Sequence, residues 1–176
     1  MGQRAYNQWL QEDLGELIVS LELSDLQQHF LKSRWLGQVL WMGGKASQCQ
    51  AWHYALRVTA ILGGVVVPAL VGLQPANGTI PLLRWATFGI SLVVALAVAL
   101  EGFFRFGERW RHYRRSVETL QAEGWEFLQL CGPYDRAANH AEAYPQFAQR
   151  VEDLLRSEVD VYVTQVVKER GEREEK

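Results

Sequence analysis

Two long stretches of this chain carry no charge, and one directly follows the other. No Asp, Glu, Lys, Arg or His occurs between Val58 and Leu83, and none between Trp85 and Leu100. A cluster of turn formers, Gln74-Pro75-Ala76-Asn77-Gly78, divides the two runs. A helix needs roughly 20 mostly apolar residues to cross about 30 Å of hydrocarbon. With their flanks, His53–Leu73 and Trp85–Phe104 each reach that length. A core helix of a soluble bundle would keep a polar stripe on its outer side, and neither run has one. The pattern predicts an integral membrane hairpin of two helices.

The positive charges predict its orientation, because Lys and Arg are retained on the cytoplasmic side. The turn Gln74–Arg84 carries Arg84 alone. Arg105, Arg109, Arg111, Arg114 and Arg115 follow the second run, and Lys32, Arg34, Lys45 and Arg57 precede or enter the first. Both termini are expected in the cytoplasm, with the protein in the inner (plasma) membrane. Trp52, Tyr54, Trp85, Phe103, Phe104 and Phe106 flank the runs, where aromatic rings suit the headgroup boundary. Residues 1–50 hold no apolar stretch long enough for a cleavable signal, so the first run is expected to direct insertion itself.

Averages conceal this organisation. A mean hydropathy of -0.13 describes a soluble chain only because polar arms offset the two apolar runs. The 176 residues make one small unit, with cytoplasmic helices over 1–52, the hairpin over 53–106, further cytoplasmic helices over 107–167 and a charged, disordered tail over 168–176. A net charge of -2 gives no general attraction to nucleic acid, and none is expected as a partner. Cys49 and Cys131 form no CxxC pattern and are read as reduced core residues rather than a disulfide.

Outside the hairpin the periodicity is helical. Trp9, Leu10, Leu14, Leu17, Ile18 and Leu21 predict an amphipathic helix over Met1–Ser20, and Ser24 is placed to cap the next. Trp35, Val39, Met42, Ala46, Cys49, His53 and Leu56 alternate steps of four and three into the first run. Phe103, Phe106, Trp110, Tyr113, Val117, Leu120, Gly124, Phe127 and Cys131 mirror them after the second. Such seams predict long helices packed side by side, a coiled-coil-like collar in an all-α fold. Gly43-Gly44 marks a weak point or a close backbone approach. Gly132-Pro133 ends the second long helix, Tyr134–Glu142 is a polar connection, and Pro145 suits the first turn of a last helix. That helix presents Phe147, Val151, Leu154, Leu155, Val159, Tyr162 and Val166 on one face.

Glu101 is the foremost candidate functional residue. It ends the second uncharged run, and an ionisable group at that depth faces a partner or a water-filled path. Its expected partners are Arg105, four residues on, or Arg57 on the adjacent helix; a ring of Glu101 side chains at a pore mouth is the sharper reading. Gly63, Gly64 and Pro68 would permit close helix packing, a bend or a gate in the first run. Arg109, Arg111, Arg114 and Arg115 are candidates for lipid headgroups, for pairing with Glu108, Glu118, Glu123 and Glu126, or for the topology signal alone. Asn77-Gly78-Thr79 reads as a turn. His29, His53, His112 and His140 have no metal-ligand spacing, and no phosphate loop or nucleophile arrangement occurs. No enzyme and no cofactor is expected, and His53, on the seam, is read as a packed interface residue.

The blocks Phe30–Leu70 and Leu100–Tyr134 resemble a widespread bacterial family of two-span proteins of unknown function, kin to the SLATT (SMODS and SLOG-associating two-transmembrane) proteins. The motifs GGVVVPAL, ERWRHYR and CGPY carry the likeness, which extends over about Phe30 to Tyr162. The resemblance implies an all-helical, oligomeric membrane protein and, for the SLATT kin, a pore-forming role in bacterial conflict or signalling. This chain carries no nucleotide-sensing or effector domain, so a trigger would come from a separate protein. The expected function is an oligomeric channel of four or more subunits, passing cations and gated through the cytoplasmic helices. The alternative is a membrane-anchored module that recruits a cytoplasmic partner protein without transport.

Overall fold

The computed structural model describes residues 3–73 and 81–174, with side-chain surroundings for 8–73 and 81–157. The turn formers 74–78, the Asn77-Gly78-Thr79 sequence and the side chains of Val159, Tyr162 and Val166 lie outside these. Among the described residues all regular structure is helical. Helices α1 (Gln3–Ser20) and α2 (Asp25–Phe30) lead into a π-helical segment, Leu31–Leu36. Next come α3 (Gly37–Gly72), α4 (Pro81–Phe104), α5 (Phe106–Leu128), a 3-10 turn (Gly132–Tyr134) and α6 (His140–Glu174). The chain divides into two compact units, one of residues 1–44 with 113–176 and the other of 45–112.

The first unit is a packed helical body. From α1 it buries Leu10, Leu14 and Ile18, one turn apart, while Trp9 and Leu17 are exposed. At Ser24 a capping box forms: the Gln27 N–H donates to Ser24 Oγ, and Gln27 Oε1 accepts from the Ser24 N–H at 2.9 Å. The first seam supplies Trp35, Val39 and Met42 to the core, and α5 supplies Val117, Leu120 and Phe127. Phe127 stacks on Phe147 of α6 at 4.3 Å between ring centres, and Tyr134 meets both rings edge-on. Fully burying side chains such as Ile18, Leu31, Phe127, Phe147 and Val151 contributes about 1.5–3 kcal/mol each.

A close approach falls on Gly124, and from a side chain, and not on Gly43-Gly44. A Cβ at Gly124 would overlap the Trp35 indole, whereas one at Gly43 or Gly44 would meet nothing within 4 Å. The Trp35 indole N–H donates to the Leu120 carbonyl at 2.8 Å, one turn before the glycine that makes room for its ring.

Two helix ends differ from the sequence expectation. Helix α5 stops at Leu128, before the expected Gly132-Pro133, because Leu130 already takes the left-handed conformation (φ 48), and Gly132 takes it as well (φ 59). The Cys131 N–H then reaches the Glu126 carbonyl and the Leu130 N–H that of Phe127, which satisfies the last carbonyls in a Schellman arrangement. Cys131, expected in the core, is left exposed beyond this stop. Helix α6 begins at His140 rather than near Pro145, because the Asn139 side chain caps it by accepting from the Glu142 N–H at 2.9 Å. Its backbone stays helical to Glu174, through most of the expected disordered tail; Lys, Arg and Glu are good helix formers.

In the second unit, α3 and α4 form an antiparallel pair. Gly63 lies against Val94, so closely that a methyl group at Gly63 would overlap the valine side chain. Helix α3 is unbroken through Pro68. Both helices are long and apolar enough to cross a membrane, and only 11% and 6% of their most apolar windows are buried. A core helix would be mostly covered. The second seam, expected to run unbroken into α5, is interrupted at Arg105, which stands alone in the left-handed region (φ 49) between α4 and α5.

Candidate functional site

The second unit gathers its polar chemistry at the end of α4. There Glu101 Oε1 lies 2.6 Å from His53 Nδ1 of α3. The expected partners of Glu101 are engaged elsewhere or apart. Arg105 donates to Glu108 at 2.9 Å, and Arg57 is exposed with no ion pair among the described residues. The cause is backbone geometry. An i,i+4 pair needs continuous helix, and Arg105 leaves it.

His53 is held from several sides. Its ring stacks on Trp110 of α5 at 6.4 Å and tilts against Tyr54 at 5.5 Å. It also fills the space beside Gly107, where a Cβ would come within 2.8 Å of the imidazole. Trp52 stacks on Phe106 at 6.3 Å, one position away on both helices. The second oxygen of Glu101, Oε2, is buried and has no hydrogen-bond partner among the described residues. The carboxylate is therefore half-satisfied, on one imidazole, at the end of an apolar helix. The heptad spacing placed His53 on this inner face; its pairing with a carboxylate on α4 was not legible from the spacing.

The remaining candidates are spread along the helices. Gly63 is a close-packing point and Gly64 is not, since a Cβ there would meet nothing within 4 Å. The hydroxyls of Thr59, Thr87 and Ser91 donate to carbonyls one turn back at 2.9, 2.8 and 2.7 Å. Arg114 pairs with Glu118 at 2.8 Å, while Arg109, Arg111 and Arg115 are without an ion pair among the described residues.

The first unit holds a charged cluster that no sequence spacing announced. Glu123, expected only as one of four carboxylates open to pairing with Arg109, Arg111, Arg114 or Arg115, is buried and takes both arms of Arg150, at 2.5 and 2.8 Å. The Tyr134 hydroxyl donates to the same carboxylate. Burial alone would push the Glu123 carboxyl up, but the hydrogen bonds from Arg150 and Tyr134, with the Arg150 charge, hold it below the usual range. Burial, reinforced by the Glu123 carboxylate, pushes the Tyr134 phenol up. Arg34 grips Glu152 with two hydrogen bonds, at 2.7 and 2.9 Å, and this lowers the Glu152 carboxyl. These pairs tie α6 to α5 and to the π-helical segment.

Among the described residues no group of three His, Cys, Asp or Glu side chains is placed to hold a metal ion. The signature of the family described as "Protein of unknown function (DUF4231)" matches residues 37–142, more than half of the chain. The chain belongs to this family. The DUF4231 region contains the apolar pair, the Arg105 break, the His53–Glu101 contact, Gly124 and Tyr134. It excludes Arg34, Trp35, Arg150 and Glu152, which pack the helical unit from outside it. No curated protein and no solved structure matches the chain significantly.

Proposed function

We propose that this DUF4231 protein is an oligomeric two-span membrane channel of a bacterial inner membrane, with both termini in the cytoplasm. One observation carries the reading: two apolar, nearly uncovered helices end in a half-satisfied carboxylate held by a packed imidazole. Uncovered apolar helices of this length need lipid or further copies around them. An ionisable group kept at their end is costly unless it serves a partner or an ion path. One hairpin cannot enclose water, so the path requires several subunits, four or more in a ring, with Glu101 attracting cations at its mouth. The excess of Arg after α4 supports the cytoplasmic placement of that mouth. The resemblance to the SLATT proteins supports pore formation triggered by a separate conflict or signalling protein.

The span hydroxyls favour a second reading. Thr59, Thr87 and Ser91 are spent on their own helices, so among the described residues they form no polar stripe along a path. A membrane anchor for the packed helical unit, recruiting a cytoplasmic partner, needs none. A pore gated by dewetting needs none either. Native mass spectrometry of the lipid-retaining protein, followed by ion flux in liposomes, separates the two readings. A closed ring of four or more subunits with cation flux altered by Glu101→Gln is expected for the channel. A monomer or dimer without flux supports the anchor.

A further inference from the structure

We infer that the α4–α5 junction is a two-state switch in which Glu101 exchanges its partner. In the state described, His53 clamps a bend. Its Nδ1 meets Glu101 before the break, and its ring packs on Gly107 and Trp110 after it. Arg105, between them, holds a left-handed conformation that a side chain with a Cβ disfavours. Such strain persists only where the surroundings over-determine it, and it concentrates at switch regions.

The sequence describes the other state. No proline lies between Pro81 and Pro133, and the seam Phe103, Phe106, Trp110, Tyr113 keeps its spacing across the break. In the bend that seam is spoiled, with Phe103 72% exposed. If Arg105 becomes helical, α4 and α5 join into one helix and Phe103 returns to the face of Phe106 and Trp110. Glu101 and Arg105 then stand at i and i+4 in the favoured order, acid first. Glu101 leaves the imidazole and pairs with Arg105, which leaves Glu108. Each state thus satisfies what the other leaves wanting: the bend keeps the aromatic packing of His53, and the straight helix relieves Arg105 and the lone Glu101 oxygen. Other charges around the exchange are Arg57, one turn further along α3, and Arg109 in the first turn of α5.

The switch is tested by electron-spin distance measurement on the full chain in lipid nanodiscs. Labels replace Leu92 and Arg111, with Cys49→Ala and Cys131→Ser as background. A continuous helix separates these positions by about 29 Å along its axis, and the bend shortens the distance. The unaltered junction is expected to give mainly the shorter distance. His53→Ala should raise the ratio of long to short at least tenfold. Arg105→Gly, which removes the left-handed penalty, should hold the short distance. An unchanged distribution for His53→Ala, or a lengthened one for Arg105→Gly, overturns the inference. As a gate the switch rests on the channel reading, which is judged separately by flux through the same variants. Shifted distances with no flux in any variant leave the switch standing and remove the channel.

Discussion

Replacing Gly124 by alanine sets two effects of opposite sign against each other. In a helix interior alanine is better than glycine by about 1 kcal/mol. At Gly124, however, the new methyl would fall on the six-membered ring of Trp35. That ring cannot yield cheaply, because it is 2% exposed, hydrogen-bonded to the Leu120 carbonyl and edge-on to Phe147. Overpacking of this kind costs about 1–3 kcal/mol. Moving the indole also forfeits a hydrogen bond of about 1 kcal/mol. With the overpacking near its upper end, the net loss is about 3 kcal/mol. The same substitution at Gly44, where nothing lies within 4 Å, should gain about 1 kcal/mol. Urea unfolding of the detergent-solubilised protein, followed by far-UV circular dichroism, reads both. In a Trp35→Phe background, which removes the overlapped ring atoms, Gly124→Ala should become neutral or stabilising. If Gly124→Ala is as stable as the parent, or the Trp35→Phe background leaves its effect unchanged, the contact is wrong.

Three further predictions concern two other contacts. Arg150→Met should destabilise the helical unit by about 2–3 kcal/mol, since it strands a buried carboxylate, whereas Glu123→Gln should cost only about 1 kcal/mol, because Arg150 is 45% exposed and returns to water. Glu123 has a lowered folded pKa, so its contribution is complete above the unfolded value near 4.5 and is lost as pH falls below it; acid titration of the unfolding midpoint should be shallower in Glu123→Gln. Within the apolar pair, Gly63→Ala should lower the melting temperature in lipid nanodiscs, and Val94→Ala should restore it; additive losses in the double variant would refute the close approach.

What the sequence made legible was periodic. Trp35, Val39, Met42, Ala46 and Cys49, picked by spacing alone, are all buried, because a helix repeats its direction every three to four residues. The apolar pair was legible for the same reason that it is unusual, namely the absence of charge. Partner choice was not legible. Glu101 had a favourable Arg105 four residues on, yet one backbone angle at Arg105 hands it to His53, and an arginine is no signal for that angle. Asn139 could have been found: Asn followed three residues later by Glu is a capping signature, and the helix-start preference of Pro145 obscured it. The Glu123–Arg150 pair joins residues from different helices, and nothing local marks it.

The π-helical segment Leu31–Leu36 sets the phase of all that follows it in the helical unit. Leu31, Trp35 and Val39 recur at steps of four, and in a regular α-helix two such steps drift about 80° off a straight line. A wider turn advances less per residue, so the segment absorbs the drift and all three side chains reach the core. Its signature is the Gly37 N–H reaching back five residues to the Lys32 carbonyl. The segment is thus a spare residue stored in the ladder. Regular α-helical bonding over the same residues would turn Trp35's successors by about 100° against the residues before them, whereas losing one residue would restore that bonding and keep their phase. The wider bonding of Leu31–Leu36, more than any one side chain in it, therefore decides which face of the following helix, with Val39 and Met42, enters the core.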